Sequence, residues 1–174
     1  MSFPTTNPPT LDQIYAAMLA ALKDYAPTVN AVASISRNPE DAMLQVIDPA
    51  GPRLVLHPES GDAANKELQN TVETHIFRLF ISSNIGVTPA GRDAGMVSSE
   101  VKPPLMSHVD AVRRRILSWR FDETKIHKGK IFYDGYDPVF TPDGYPIAAY
   151  ALTFHFRAGV KINASEEINV VIES

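Results

Sequence analysis

The sequence predicts an α+β fold: a mixed, mostly antiparallel sheet with two main helices packed on one face. Three patterns predict it. Two stretches, Leu11 to Tyr25 and Leu105 to Trp119, carry apolar residues at helical spacing. Thr74 to Ser83 is apolar on both sides at a period of two, as a strand in the middle of a sheet is. Lys130 to Arg157 alternates on either side of Pro142-Asp143-Gly144, which supplies the fixed φ, the local cap and the left-handed position of a tight turn.

In chain order, residues 1–9 read as a flexible arm of polyproline character. Residues 10–160 read as a single α+β domain, and 161–174 as a C-terminal strand or tail. Thr10-Leu11-Asp12-Gln13 has the form of a capping box, in which threonine and glutamine satisfy two orphan amides. Leu11, Ile14, Tyr15, Met18, Leu19, Leu22 and Tyr25 then define one apolar stripe. The helix should stop before Pro27, since the residue before proline avoids the α region. Ala31 to Ser36, Met43 to Ile47 and Arg53 to Leu56 are strand candidates separated by Arg37-Asn38-Pro39 and by Asp48-Pro49-Ala50-Gly51-Pro52; their order stays open. Pro58-Glu59-Ser60-Gly61-Asp62 begins a polar loop.

The next strand places Ile76 and Phe80 on one face and Phe77, Leu79 and Ile81 on the other. Asn84 to Pro104, with three glycines, three prolines and little periodicity, reads as a long loop, a length that usually serves a function or a contact. Its charged residues Arg92, Asp93 and Lys102 are candidate subunit or partner contacts. The second helix turns Val109, Val112, Ile116 and Trp119 inward. In the last long strand Ala148, Tyr150, Leu152, Phe154 and Phe156 point one way. Ile147, Ala149, Ala151, Thr153, His155 and Arg157 point the other, a face small and polar enough to be covered by something else. Ile168 to Ile172 adds a strand or orders against a partner, which makes Val170 and Ile172 further candidate contacts.

Bulk properties narrow the function. A chain of 174 residues, 44% hydrophobic and 21% charged, can bury a core without staples. A net charge of −4 gives the whole chain no electrostatic drive towards nucleic acid or anionic membrane. Without cysteine there is no disulfide, thiolate metal site or cysteine nucleophile. The first residues lack a signal peptide's basic and apolar regions, and no apolar run approaches the ~20 residues of a membrane span, so synthesis in the cytoplasm is expected.

Chemistry is sparse. His57, His75, His108, His127 and His155 form no metal-ligand spacing, and neither a phosphate loop, a nucleotide-binding turn nor a nucleophile elbow is present. Ser60-Gly61-Asp62 sets a hydroxyl near an acid without the strand-turn-helix that would expose it. Asp134 and Asp137 imitate a paired-carboxylate site, but such a pair needs an environment that splits the two pKa values. No catalytic residue, cofactor or metal is assigned, and an enzyme is not expected. Arg113-Arg114-Arg115 is the strongest charge feature. Successive helical residues step by about 100°, so the three cannot make one patch. They read as a solvated face whose stems cover apolar surface, or as cations facing a neighbouring subunit or a DNA-filled channel.

The order of an early helix (Leu11 to Leu22), short strands, the strand Glu73 to Ile81, a helix ending Val112-Arg113-Arg114-Arg115-Ile116-Leu117-Ser118-Trp119, and the hairpin from Ile131 to Phe156 resembles the tail terminator proteins of tailed bacteriophages, including the Mu-like tail-completion family. The resemblance is one of residue class and order over Leu11 to Arg157. It implies a virion protein without catalysis: a homo-hexameric ring at the top of the tail tube that halts tail polymerisation and joins the tail to the head connector. Implied partners are other copies of the chain, the tail tube protein, the connector or neck protein and the sheath where there is one, with DNA only as it passes through the channel and no membrane. The alternatives are another neck or baseplate ring component, a small α+β enzyme or ligand-binding domain gathering Asp134, Asp137, His155 and Arg157 in a cleft, and a nucleic-acid-binding module using Arg113 to Arg115.

Overall fold

The structure, a computed structural model, describes residues 11–48, 51–63, 70–97, 104–119 and 131–161. The expected arm, the Thr10 cap, Lys102 and the tail with Val170 and Ile172 lie outside the described residues.

Helix α1 (Leu11–Tyr25) buries Ile14, Tyr15, Met18 and Leu22 of the predicted stripe; Leu19 and Tyr25 are partly buried against the core, and Leu11, in the first turn, is exposed instead. It does end before Pro27, but the chain tightens into a 3₁₀ turn, Ala26–Val29, rather than leaving the helix at once. Asn30, with φ 52°, closes that turn in the left-handed region and aims the chain into strand β1 (Val32–Ile35). Strand β2 (Arg53–Ala63) runs parallel to β1, pairing Val32 with Arg53 through Ile35 with Leu56. Parallel neighbours cannot be joined by a tight turn, so the chain crosses over through α2 (Pro39–Val46).

The expected strand from Met43 to Ile47 is therefore a helix. Five residues are too few to tell a period of 2 from one of 3.6. The deciding signals lie upstream: Asn38 caps the helix by accepting from the Asp41 amide at 2.7 Å, and Pro39 fixes its first φ. Glu40 and Asp41 complement its N-terminal dipole.

Strand β3 (Asn70–Asn84) pairs antiparallel with β2, and the segment expected to begin a polar loop at Pro58 belongs to β2 instead. The register shifts between Pro58 and Ser60, so the proline is absorbed in a bulge while the ladder continues to Ala63 and Glu73. The long loop expected from Asn84 to Pro104 contains α3 (Pro89–Met96), capped by Thr88, whose Oγ1 accepts from the Gly91 amide at 3.1 Å. Two glycines within eight residues hide its periodicity. Helix α4 (Leu105–Ser118) buries Leu105, His108, Val109, Val112 and Ile116, and Trp119 packs at the core's rim as its C-cap. The hairpin of β4 (Ile131–Val139) and β5 (Ile147–Lys161) follows as predicted.

Sheet order is β1-β2-β3-β5-β4, with β3 central and β1 and β4 at the two edges. The first face carries Leu54, Leu56, Phe77, Leu79, Ile81, Leu152, Phe154 and Phe156 against α1 and α4, the main core. Phe77 stacks on Phe154 with centroids 5.3 Å apart, and Tyr15 meets Phe77 and Phe156 edge-on. Burial of its phenol pushes the Tyr15 pKa up to about 12. On the second face Val55, Phe80, Ala149 and Ala151 pack under Ala42 and Val46 of α2. The alternation predicted for β3 and β5 is the one observed, and α2 covers part of the face that was expected to need a cover.

Candidate functional site

Strand register brings together what sequence separation hides. On the second face, beyond α2, a row runs Phe132–His155–Ile76–Ser60 from β4 across β5 and β3 to β2. His155 is gripped from two sides. Its Nδ1 lies 2.8 and 2.9 Å from the two carboxylate oxygens of Asp134, and the Phe132 ring stacks on it at 4.9 Å and 11°. Asp134 can reach because it occupies the β-bulge between Tyr133 and Gly135, and Gly135 permits the bulge with φ 139°.

Asp137 does not join this pair. It stands opposite Ala151, further along β4, while Arg157 stands opposite Thr74 on the other side of His155. The four residues expected around a cleft lie instead along the β4–β5 ladder. An open depression of about 470 Å³ does exist, but at the far edge, between Pro27, Asn30, Val32, Gly51 and Arg53. Among the described residues no group of three or more His, Cys, Asp or Glu side chains could hold a metal ion.

A second polar pair was invisible in the sequence because 21 residues separate its members. Ser36 Oγ lies 2.9 Å from His57 Nδ1, both groups being 6% exposed. The spacing is that of a nucleophile and its base. Burial lowers the His57 pKa and keeps the ring neutral, with Glu59 opposing and Arg78 assisting. What the pair does here is fasten the end of β1 to β2, alongside the Ser36 amide donating to the Leu56 carbonyl at 2.9 Å.

The arginine run separates as its helical step requires. Arg113 and Arg114 share Asp110, the latter at 2.8 Å, and Arg113 also lies over the Tyr133 ring at 5.6 Å, tying α4 to β4. Arg115 is exposed, with no ion-pair partner among the described residues. Arg92 and Asp93 sit exposed on α3, between exposed Val87 and Val97.

The least expected feature is the distribution of exposed large apolar side chains. At one sheet edge stand Val32 (56%) and Ile35 (39%) of β1; at the other stand Phe132 (42%), Tyr136 (47%) and, just past β4, Phe140 (83%); the remaining ones, Leu11, Leu44, Val87 and Val97, lie on or beside the helices. No periodicity rule marks them, because an edge residue follows the same alternation as a central one and only the strand order exposes it. No helix among the described residues is long and apolar enough to cross a membrane. Compared with known proteins, the chain matches no family model and no curated protein.

Proposed function

We propose that this chain is a phage virion structural protein of the tail terminator type: a subunit of a ring at the top of the tail tube that halts tail polymerisation and joins the tail to the head connector. The observation that carries the reading is the placement of exposed apolar groups at both lateral edges of one rigid sheet. A subunit with a neighbour on each side needs two such surfaces, whereas a ligand site concentrates its chemistry in one concavity. The polar groups on the open sheet face are engaged pairwise, Asp134 with His155 and Glu59 with Arg78 at 3.0 Å, rather than converging on a cavity.

The test is negative-stain electron microscopy of lysates from a phage lacking this gene. Overlong or ragged tails separated from filled heads are the expected result; normal joined particles overturn the reading.

A further inference from the structure

We infer that copies of this chain meet head to tail, the β4 edge of one packing against the β1 edge of the next. This deepens the ring reading and rests on it, by naming the two surfaces that touch.

The two edges are alike in shape. Val32 lies on the second face of the sheet, opposite Arg53, and Ile35 on the first, opposite Leu56. Phe132 and Tyr136 divide between the faces of β4 in the same way, opposite His155 and Leu152. Each edge thus presents apolar side chains on both of its flanks, a form that fits another sheet edge better than a helix lying on one face. The β4 side is held ready: Phe132 lies flat on His155, and Tyr136 meets Tyr150 edge-on at 5.6 Å. Anchors already fixed in place lose little entropy when they are buried.

Both edges are also blunted against indefinite strand addition. β1 has four residues, and β4 contains a bulge at Asp134 and a proline at 138. The contact is therefore one of side-chain packing, with Phe140 as its most protruding anchor. Charge favours joining unlike edges. Asp137 and Asp143, on β4 and its turn, are exposed and have no ion-pair partner among the described residues. Arg37, two residues past β1, is 86% exposed and pairs with Asp41 at 3.6 Å. Two β4 edges would set acid against acid. Contact between different surfaces is the kind that closes into a ring.

The absence of cysteine makes the test direct. Val32→Cys and Phe140→Cys proteins are prepared singly and together, then treated with a short bis-maleimide and run on denaturing gels. Each single variant should stay uncoupled, their mixture should give dimers, and the double variant a ladder of multimers. Dimers from Phe140→Cys alone, or from Val32→Cys alone, overturn the unlike pairing. No coupling in the mixture overturns the contact. Phe140→Asp, at a site too exposed to affect folding, should weaken association by about tenfold in light scattering with unchanged circular dichroism. Unchanged association overturns Phe140's place in the contact. Failure of the contact beside overlong tails in the deletion phage leaves the terminator reading standing; normal joined particles overturn that reading whatever the gels show.

Discussion

A methyl group added at Gly95 would lie 2.8 Å from the Ile85 Cα and 2.7 Å from its Cβ. Glycine inside a helix ordinarily costs about 1 kcal/mol relative to alanine, so alanine should be the better residue on propensity alone. Here the neighbour is partly backbone and cannot swing aside, so Gly95→Ala should reverse that sign and destabilise by about 1–3 kcal/mol, seen as a lower urea midpoint at constant slope. A rise in midpoint would mean that α3 can slide away from Ile85. The histidines give a second test at this scale. Burial lowers the pKa of both His57 and His75, the latter against the opposing pull of Glu73, 3.2 Å from its Nε2. A folded-state pKa below the unfolded one means that the unfolded chain binds the proton first. Stability from this source is whole above the unfolded value of about 6.5 and falls as the solution is acidified through it, down to the folded value. As the pH is lowered through about 6.5 the unfolding free energy should fall, by at most about 1.4 kcal/mol per pH unit for each histidine. Replacing both by glutamine should flatten the profile; an unaltered slope would assign the effect elsewhere.

Among the elements, α2 shows most clearly what could and could not be read in advance. Its capping signal was plainly written as Asn38-Pro39-Glu40-Asp41, yet those residues also suit a turn between strands, and Met43 to Ile47 has β-branched and apolar members enough for a strand. What decides between them is the parallel pairing of β1 with β2, a long-range fact that imposes a crossover. Removing the cap with Asn38→Ala should cost about 1 kcal/mol and raise amide exchange in α2 first. Equal stability of the variant would show that Pro39 and the packing of Ala42 and Val46 suffice. By contrast α1, α4, β3 and β5 are legible because each buries a stripe or a face, so the period of the burial is the period of the sequence; β4, which buries only Ile131, is legible through the Pro142-Asp143-Gly144 turn that pairs it with β5. β2 beyond Pro58 and α3 were not. In both, local composition favours a loop, and pairing with β3 or a Thr88 cap overrides it. The candidate surface divides the same way. Asp134 and His155 were singled out from sequence, but their pairing depends on a bulge, and the apolar edges depend on a strand order that adjacent residues do not encode.

For the molecule as a whole, the two faces of the sheet are unequal, and that inequality sets an order of opening. The first face joins α1, α4 and residues of all five strands in one apolar cluster containing Phe77, Phe154 and Phe156, all fully buried. The second holds a small cluster in which an eight-residue helix contributes little more than Ala42 and Val46. Burial stabilises roughly in proportion to apolar area, so α2 should open at far lower free energy than the main core. Truncation on each side separates the two. Phe154→Ala should cost about 3–5 kcal/mol and lower protection of α1, α4, β3 and β5 together, because it leaves a cavity where Phe77 now stacks. That is a large fraction of the roughly 5–15 kcal/mol that holds a domain folded, so the variant's melting transition should shift as one unit. Val46→Ala removes less volume and should speed exchange in α2 while leaving the α4 amides almost unchanged. Hydrogen exchange of the two variants reads both outcomes in one experiment. A common rise across α2 and α4 in Val46→Ala would mean that the smaller cluster is part of the global folding unit. In the expected case, the chain keeps β1 registered on β2 through Ser36 and His57 even when α2 has opened, so the β1 edge survives as a surface for a neighbour.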